Sequence, residues 1–217
     1  KNQKQQVPHN LYVLCHDPYG QNQSADSMSL GSAYVVKRVN NVSTPDDMIV
    51  ASYVGRPNTQ DEYNKNLFML SDYYNCKIGF ENDRGEVIAY AKRHRKMHRL
   101  QEEFEMLDKR ELRSKTVKRQ YGMHMTEARK RQGEIYIRDW LNSVRSKNEK
   151  GEQILNLHKI YDLALLQELI KFNHKGNFDR VMSLMIGMYH TRELYNAEVK
   201  EILEDNSANN WFDKNYY

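Results

Sequence analysis

Three acidic residues stand where chemistry is commonly mounted. Asp17 closes the apolar run YVLCHD, Glu81 closes KIGFE, and Asp179 opens the apolar stretch DRVMSLMIGMYH. Each has an ordinary structural reading. Asp17 can bond backbone N–H groups in the Pro-Tyr-Gly turn that follows it, Glu81 can precede a helix cap, and Asp179 can be stabilised by a helix N-terminus. Together they suggest more. If the first and fourth strands run parallel, Asp17 and Glu81 end side by side, and three converging carboxylates repel one another unless a cation sits among them. Hard oxygen donors of this kind suit Mg²⁺ or Mn²⁺. A pair of such ions roughly 4 Å apart activates a water and stabilises the leaving oxygen of a phosphodiester.

A basic segment points to the same substrate class. From Lys92 to Arg131 the chain carries 14 Lys and Arg against 6 Asp and Glu, a local balance of +8 in a chain of net charge +4, so the remainder carries −4. Such an asymmetry suits a polyanion, although a solvated helical surface gives the same count. The run KRHRKMHR is its densest part. Lys92, Arg93, Arg95, Lys96 and Arg99 are the candidate phosphate contacts, with Arg95 and Arg99 on one face if the run is helical. Lys115, Lys118 and Arg119 form a second candidate contact on a hairpin.

Other chemistries are poorly served. His94, His98 and His124 lack a partner set for zinc, and Cys15 and Cys76 stand too far apart in sequence to help. No Ser-His-Asp arrangement, activated thiol or glycine-rich nucleotide fingerprint is arguable. Alternation along the first strand points His16 away from Asp17, into a structural role. Met182, Met185 and Met188 read as core packing.

The elements that must position the acids follow from pattern. Residues 11–16, 32–39 and 48–55 read as strands, the first apolar on both faces and therefore central. Thr59 and Glu62 have capping-box spacing and begin a helix, in which Tyr63, Leu67, Leu70 and Tyr74 recur on one face. Residues 77–81 form a short strand, and Asp83 with Glu86 starts a second helix. The expected sheet is mixed, an antiparallel meander followed by a right-handed crossover to a parallel strand, with sites at the carboxyl ends. Further along, residues 100–107 suit a helix, and Thr126 caps a helix running to residue 145. Residues 154–160 suit an extended segment and 161–172 a helix. A buried helix starts at Asp179, a polar helix covers 193–204, and the aromatic tail is mobile or docks on another surface.

The chain has 217 residues, 39% of them hydrophobic and 29% charged, enough for a polar domain with a core. Its expected organisation is a lead-in over 1–10, a nuclease domain over 11–192, and a helix with tail over 193–217. No apolar run approaches the ~20 residues that span a bilayer, so no membrane partner is expected. Two cysteines in apolar runs read as reduced, buried thiols of an intracellular protein. Residue 1 is Lys, so the chain reads as a piece of a larger protein.

YVLCHDPYG, IGFENDRG and GNFDRVMSLMIG, in that order, resemble the three acidic motifs of the nuclease domain of tailed-bacteriophage large terminase subunits, members of the ribonuclease H-like superfamily. YGMHMTEARKRQGEIYIRDWL and IYDLALLQELIKF resemble terminase segments too, so the likeness spans about residues 10–192. It implies a ribonuclease H-like α/β fold with a mixed central β-sheet flanked by helices. It implies a metal-dependent endonuclease that cuts concatemeric double-stranded viral DNA during genome packaging in the cytoplasm of the infected bacterial host. Asp17 would bridge two Mg²⁺ or Mn²⁺ ions or bind the tighter one, Glu81 would complete the first site, and Asp179 would hold the second. The implied partners are an upstream ATPase motor of the same chain, the portal and the small terminase subunit. No G-x-x-x-x-G-K-[ST] motif is present, which fits a nuclease domain without its motor. Many relatives carry two adjacent acids at the third motif, where this chain has Phe178–Asp179. Asp83 and Asp162 are candidate substitutes, although both suit helix caps. The alternatives are a Holliday-junction-resolvase-type nuclease of the same superfamily, and a non-enzymatic DNA-binding or assembly module with a degenerate metal site.

Overall fold

The computed structural model describes residues 7–19, 29–39, 47–82, 86–104, 121–173 and 176–215. A four-stranded mixed sheet forms the centre, in the order β3-β2-β1-β4. Its strands are β1 (Tyr12–Asp17), β2 (Gly31–Lys37), β3 (Met48–Gly55) and β4 (Ile78–Phe80). β1 pairs antiparallel with β2, β2 antiparallel with β3, and β1 parallel with β4. The meander and crossover expected from the sequence are therefore present, with β1 in the interior.

Every residue of β2 and all but the first of β1 are buried. Strands buried on both sides need cover on both faces, and alternation sends successive residues to opposite layers. Leu14, Ala33, Val35, Ile78 and Phe80 pack against helices α1 (Gln60–Tyr73) and α2 (Glu86–Arg93), through Tyr63, Leu67, Phe68, Val87 and Ala91. Val13, Cys15, Tyr34 and Val36 pack against the long helix α5 (Asp179–Asn215) and helix α3 (Glu127–Leu141), through Leu184, Met185, Met188, Ile137 and Trp140. Helix α4 (Leu163–Lys171) joins this second layer through Leu165. The three methionines of α5 pack in or against this core, as expected.

Local chemistry sets the boundaries. The Thr59 hydroxyl accepts from the Glu62 N–H at 3.1 Å, and the Thr126 hydroxyl from the Arg129 N–H at 3.3 Å, so both sequence-read helix starts are real caps. α3 and α5 approach closely at Gly133, where a Cβ would stand 2.2 Å from Met185 Cγ. Asp47 ties three elements to the start of β3. Its carboxylate accepts from Trp140 Nε1 at 2.9 Å and Asn156 Nδ2 at 2.7 Å, and it pairs with Arg145 at 3.2 Å.

Several expectations are corrected. The helix begun at Thr126 stops at Leu141, where the Asn142 side chain bonds the Arg138 carbonyl, and β5 (Val144–Lys147) then pairs with β6 (Gln153–Leu155). Asn156–Lys159 is a single 3-10 turn, and the helix expected over 161–172 is the shorter α4. Leu100 is extended, bridging parallel to Ile78, because its side chain is buried beside β4, and Glu102 bridges to Tyr121. The two helices expected after residue 179 are one, because no Gly, Pro or capping break separates Tyr189 from Asn215. The side chains of the aromatic tail lie outside the described residues, as do Asp83 and the second half of the expected 100–107 helix. Among the described residues no helix is long and apolar enough to cross a membrane. Both cysteines are free, and burial pushes their thiols up to about 11 at Cys15 and about 12 at Cys76.

Candidate active site

Asp17 and Glu81 end neighbouring parallel strands. His16 pairs with Phe80 in the register, and the Glu81 N–H donates to the His16 carbonyl at 3.3 Å. Both acids share the α5 side of the sheet by alternation. Cys15, two residues before Asp17, lies under Gly187, and Gly79, two residues before Glu81, lies under Ile186 and His190. Asp17 is only 7% exposed. On the other side of Glu81, residues 121–123 run alongside. The Met123 N–H donates to the Phe80 carbonyl at 2.9 Å, and the Asn82 N–H to the Met123 carbonyl at 2.9 Å. Glu81 is thus held between the end of β1 and the 121–123 segment.

Asp179 reaches the same edge from α5. Ser183, one turn on, donates its hydroxyl to the Cys15 carbonyl at 3.1 Å, which seats the start of α5 over the end of β1. The Asp179 carboxylate accepts from the Leu30 N–H at 2.8 Å, with Ser29 and Asn177 each at 3.4 Å. Leu30 directly precedes β2, in which Ser32 pairs with Asp17. Burial raises the Asp179 carboxyl above its ordinary range, and these hydrogen bonds only partly oppose that. A desolvated carboxylate of this kind gains from a nearby cation.

In type, the three carboxylates fit a hard divalent cation. As placed, they form a shared edge and not a closed cage: among the described residues no three His, Cys, Asp or Glu side chains are grouped closely enough to hold a metal ion. Asp162 is engaged elsewhere. Its Oδ1 accepts from the Ala164 and Leu165 N–H groups at 3.0 and 3.1 Å, capping α4, and its Oδ2 accepts the Tyr34 hydroxyl at 2.6 Å.

His16 points to the opposite layer, as alternation requires. Its ring stacks on Tyr63 with centroids 5.2 Å apart, and Nδ1 lies 3.0 Å from the Ser32 carbonyl, so the neutral ring carries its proton there. Burial lowers its pKa to about 4.

The basic run is organised differently from expectation. α2 ends at Arg93, and Arg95 has φ +55°, so no single helix places Arg95 and Arg99 on one face. Arg93 pairs with Asp61. Lys96 and Arg99 both grip Asp72, at 2.6 and 2.9 Å, and Arg99 also donates to Asn75 at 3.1 Å. Burial alone would raise the Asp72 carboxyl, but Lys96 and Arg99 outweigh it and hold it below its ordinary range. Asn75 precedes β4, whereas Glu81 follows it, so Lys96 and Arg99 fasten to the chain at the opposite end of that strand from the acids. Lys92 and Arg95 are exposed. Lys115, Lys118 and Arg119 lie outside the described residues.

A cation that the sequence reading overlooked stands at the acidic edge. Arg56 follows β3, whose Gly55 pairs with Gly31 beside Asp17, and its guanidinium lies 5.6 Å from the Tyr19 ring centroid. An isolated Arg outside any charge run gives no signal of this in sequence. No protein-family model, curated protein or solved structure matches the chain.

Proposed function

We propose that this chain is a metal-dependent DNA endonuclease of the ribonuclease H-like type, related to the nuclease domain of a large terminase subunit that cuts viral DNA during packaging. The observation that carries the reading is the placement of Asp17 and Glu81 at the carboxyl ends of adjacent parallel strands, on the face where α5 brings Asp179. The strand order β3-β2-β1-β4, with Leu100 bridging beyond β4, supports the ribonuclease H-like part. Asp17 and Glu81 would hold a Mg²⁺ or Mn²⁺ ion, and Asp179 would supply a carboxylate toward a second. A divalent cation there acidifies a bound water and offsets charge developing at phosphorus. The chain's own contribution is to fix the carboxylates on rigid strand ends and to bury Asp17 away from bulk water. Arg56 is the candidate cation for the DNA backbone at this edge, and Lys92 and Arg95 are candidates farther along. The upstream motor, portal and small subunit belong to the same reading.

The test is plasmid nicking with Mn²⁺, comparing the wild type with Asp17→Asn. Metal-dependent cleavage that falls by at least about 100-fold in the variant is expected, in line with loss of a metal ligand. Absence of such cleavage in the wild type sinks the enzyme reading. One observation favours a second reading, a non-enzymatic DNA-binding or assembly module: the Asp179 carboxylate already accepts three protein hydrogen bonds. Metal-independent DNA binding without nicking would select it. Preference for four-way over linear DNA would select the junction-resolvase variant.

A further inference from the structure

The first turn of a helix leaves backbone N–H groups without intrahelical acceptors. α5 is preceded by Phe178, whose side chain cannot accept. The acceptor comes instead from another helix. Glu168 of α4 takes the Arg180 N–H at 3.0 Å and the Val181 N–H at 3.4 Å on one oxygen, and the Arg180 guanidinium at 2.9 Å on the other. Arg180 Nε lies 3.7 Å from Asp162 Oδ2, the oxygen that accepts the Tyr34 hydroxyl. Tyr34 lies on β2 opposite Cys15, two residues before Asp17. A continuous set of contacts therefore links the sheet beside Asp17 to the residue next to Asp179. Both partners of the Arg180–Glu168 pair are partly buried, their side chains 20% and 21% exposed, so the ion pair is not a freely solvated one.

We propose that Glu168 is a positioning residue that fixes Asp179 at the carboxyl edge of the sheet, acting through the first turn of α5 and Arg180. The proposal rests on the nuclease reading, in which Asp179 is a metal ligand. Glu168 touches neither metal nor substrate in this role. It sets the spacing between Asp179 and the two strand-end acids. Glu168→Gln keeps size and one acceptor oxygen but removes the charge and the second acceptor, so one side of the clamp opens while the fold is retained.

The experiment uses the full chain as wild type, Glu168→Gln and Asp17→Asn. Three quantities are read: Mn²⁺ affinity by titration calorimetry, the Mn²⁺ midpoint of plasmid nicking, and amide hydrogen exchange at residues 180 and 181. For Glu168→Gln the expected result is Mn²⁺ binding weakened by about 10-fold to 100-fold, the range for residues that support metal ligands. The nicking midpoint should rise in parallel, the rate at saturating Mn²⁺ should be largely recovered, and exchange at the two amides should speed up. A folded Glu168→Gln protein with wild-type Mn²⁺ affinity overturns the positioning role, even where the wild type nicks DNA in an Asp17-dependent way. A wild type that neither binds Mn²⁺ nor nicks DNA overturns the nuclease reading and this proposal with it.

Discussion

Gly122 has φ +73°, and a Cβ there would stand 2.7 Å from the Phe80 carbonyl oxygen. Both facts demand glycine, because an L side chain is strained at that φ and would collide with backbone that cannot yield. The close approach is what lets Met123 donate to Phe80 and hold the segment that flanks Glu81. Gly122→Ala is therefore expected to destabilise the protein by roughly 2 kcal/mol, above the usual cost of a mismatched backbone conformation. Urea unfolding monitored by tryptophan fluorescence would measure it, and an unchanged midpoint would show that the 121–123 segment is not needed to order the edge. At Gly31 space alone is the constraint: a Cβ would meet the Tyr63 and Tyr19 rings at 2.5 to 2.8 Å. Its sequence setting, a glycine after a polar loop, announces a turn and gives no hint of the aromatic contact.

At the scale of elements, the basic run shows how composition can mislead. Lys96 and Arg99 close on Asp72 at the end of α1, so part of the local charge serves to fasten the segment after α2 onto α1. Arg99→Glu places a carboxylate against Asp72 and is expected to lower stability by about 1 kcal/mol, a figure kept small because Asp72 is 43% exposed. Arg95→Glu, at an exposed residue, is expected to leave the unfolding midpoint unchanged within about 0.5 kcal/mol. Parallel urea titrations of the two variants check this. Equal stability loss in both would mean that the ion pair to Asp72 contributes nothing. The DNA affinity of Arg95→Glu against wild type at matched salt then reports on Arg95 without a folding effect mixed in.

At the scale of the whole molecule, two histidines buried among the described residues make stability depend on pH. His16 and His190 are 1% and 2% exposed, and burial lowers their pKa values to about 4 and about 3. The unfolded chain binds protons at both near pH 6.5, so between there and the folded values the unfolded state holds more protons. Their contribution is complete above pH 6.5 and is lost as pH falls, at a rate of about 1.4 kcal/mol per pH unit for each histidine once well below 6.5. Denaturation midpoints should drop steeply between pH 6 and pH 4, in about that window. His190→Phe should flatten the slope by about half over the same interval, since one of the two proton-binding sites is then gone. A slope unaltered by that substitution would place the acid sensitivity elsewhere.

The sequence alone determined the mixed sheet and its order of elements, because β1 and β2 are buried on both faces and Thr59 and Thr126 cap the helices that follow. It also singled out Asp17, Glu81 and Asp179 as candidates, because an acid closing or opening an apolar run stands out against the pattern. It did not reveal that α5 runs unbroken to Asn215, since a change from apolar to polar composition looks like a boundary although nothing in the chain stops the helix. Nor did it show how the acids relate to the cations. Charge counts carry no direction, and only the tertiary structure turns Lys96 and Arg99 toward Asp72 while bringing Arg56 to the acidic edge. The clamp of Glu168 on the start of α5 was equally hidden. It joins residues 12 positions apart through a backbone N–H donor and a side-chain carboxylate, a contact that exists only once α4 and α5 have packed.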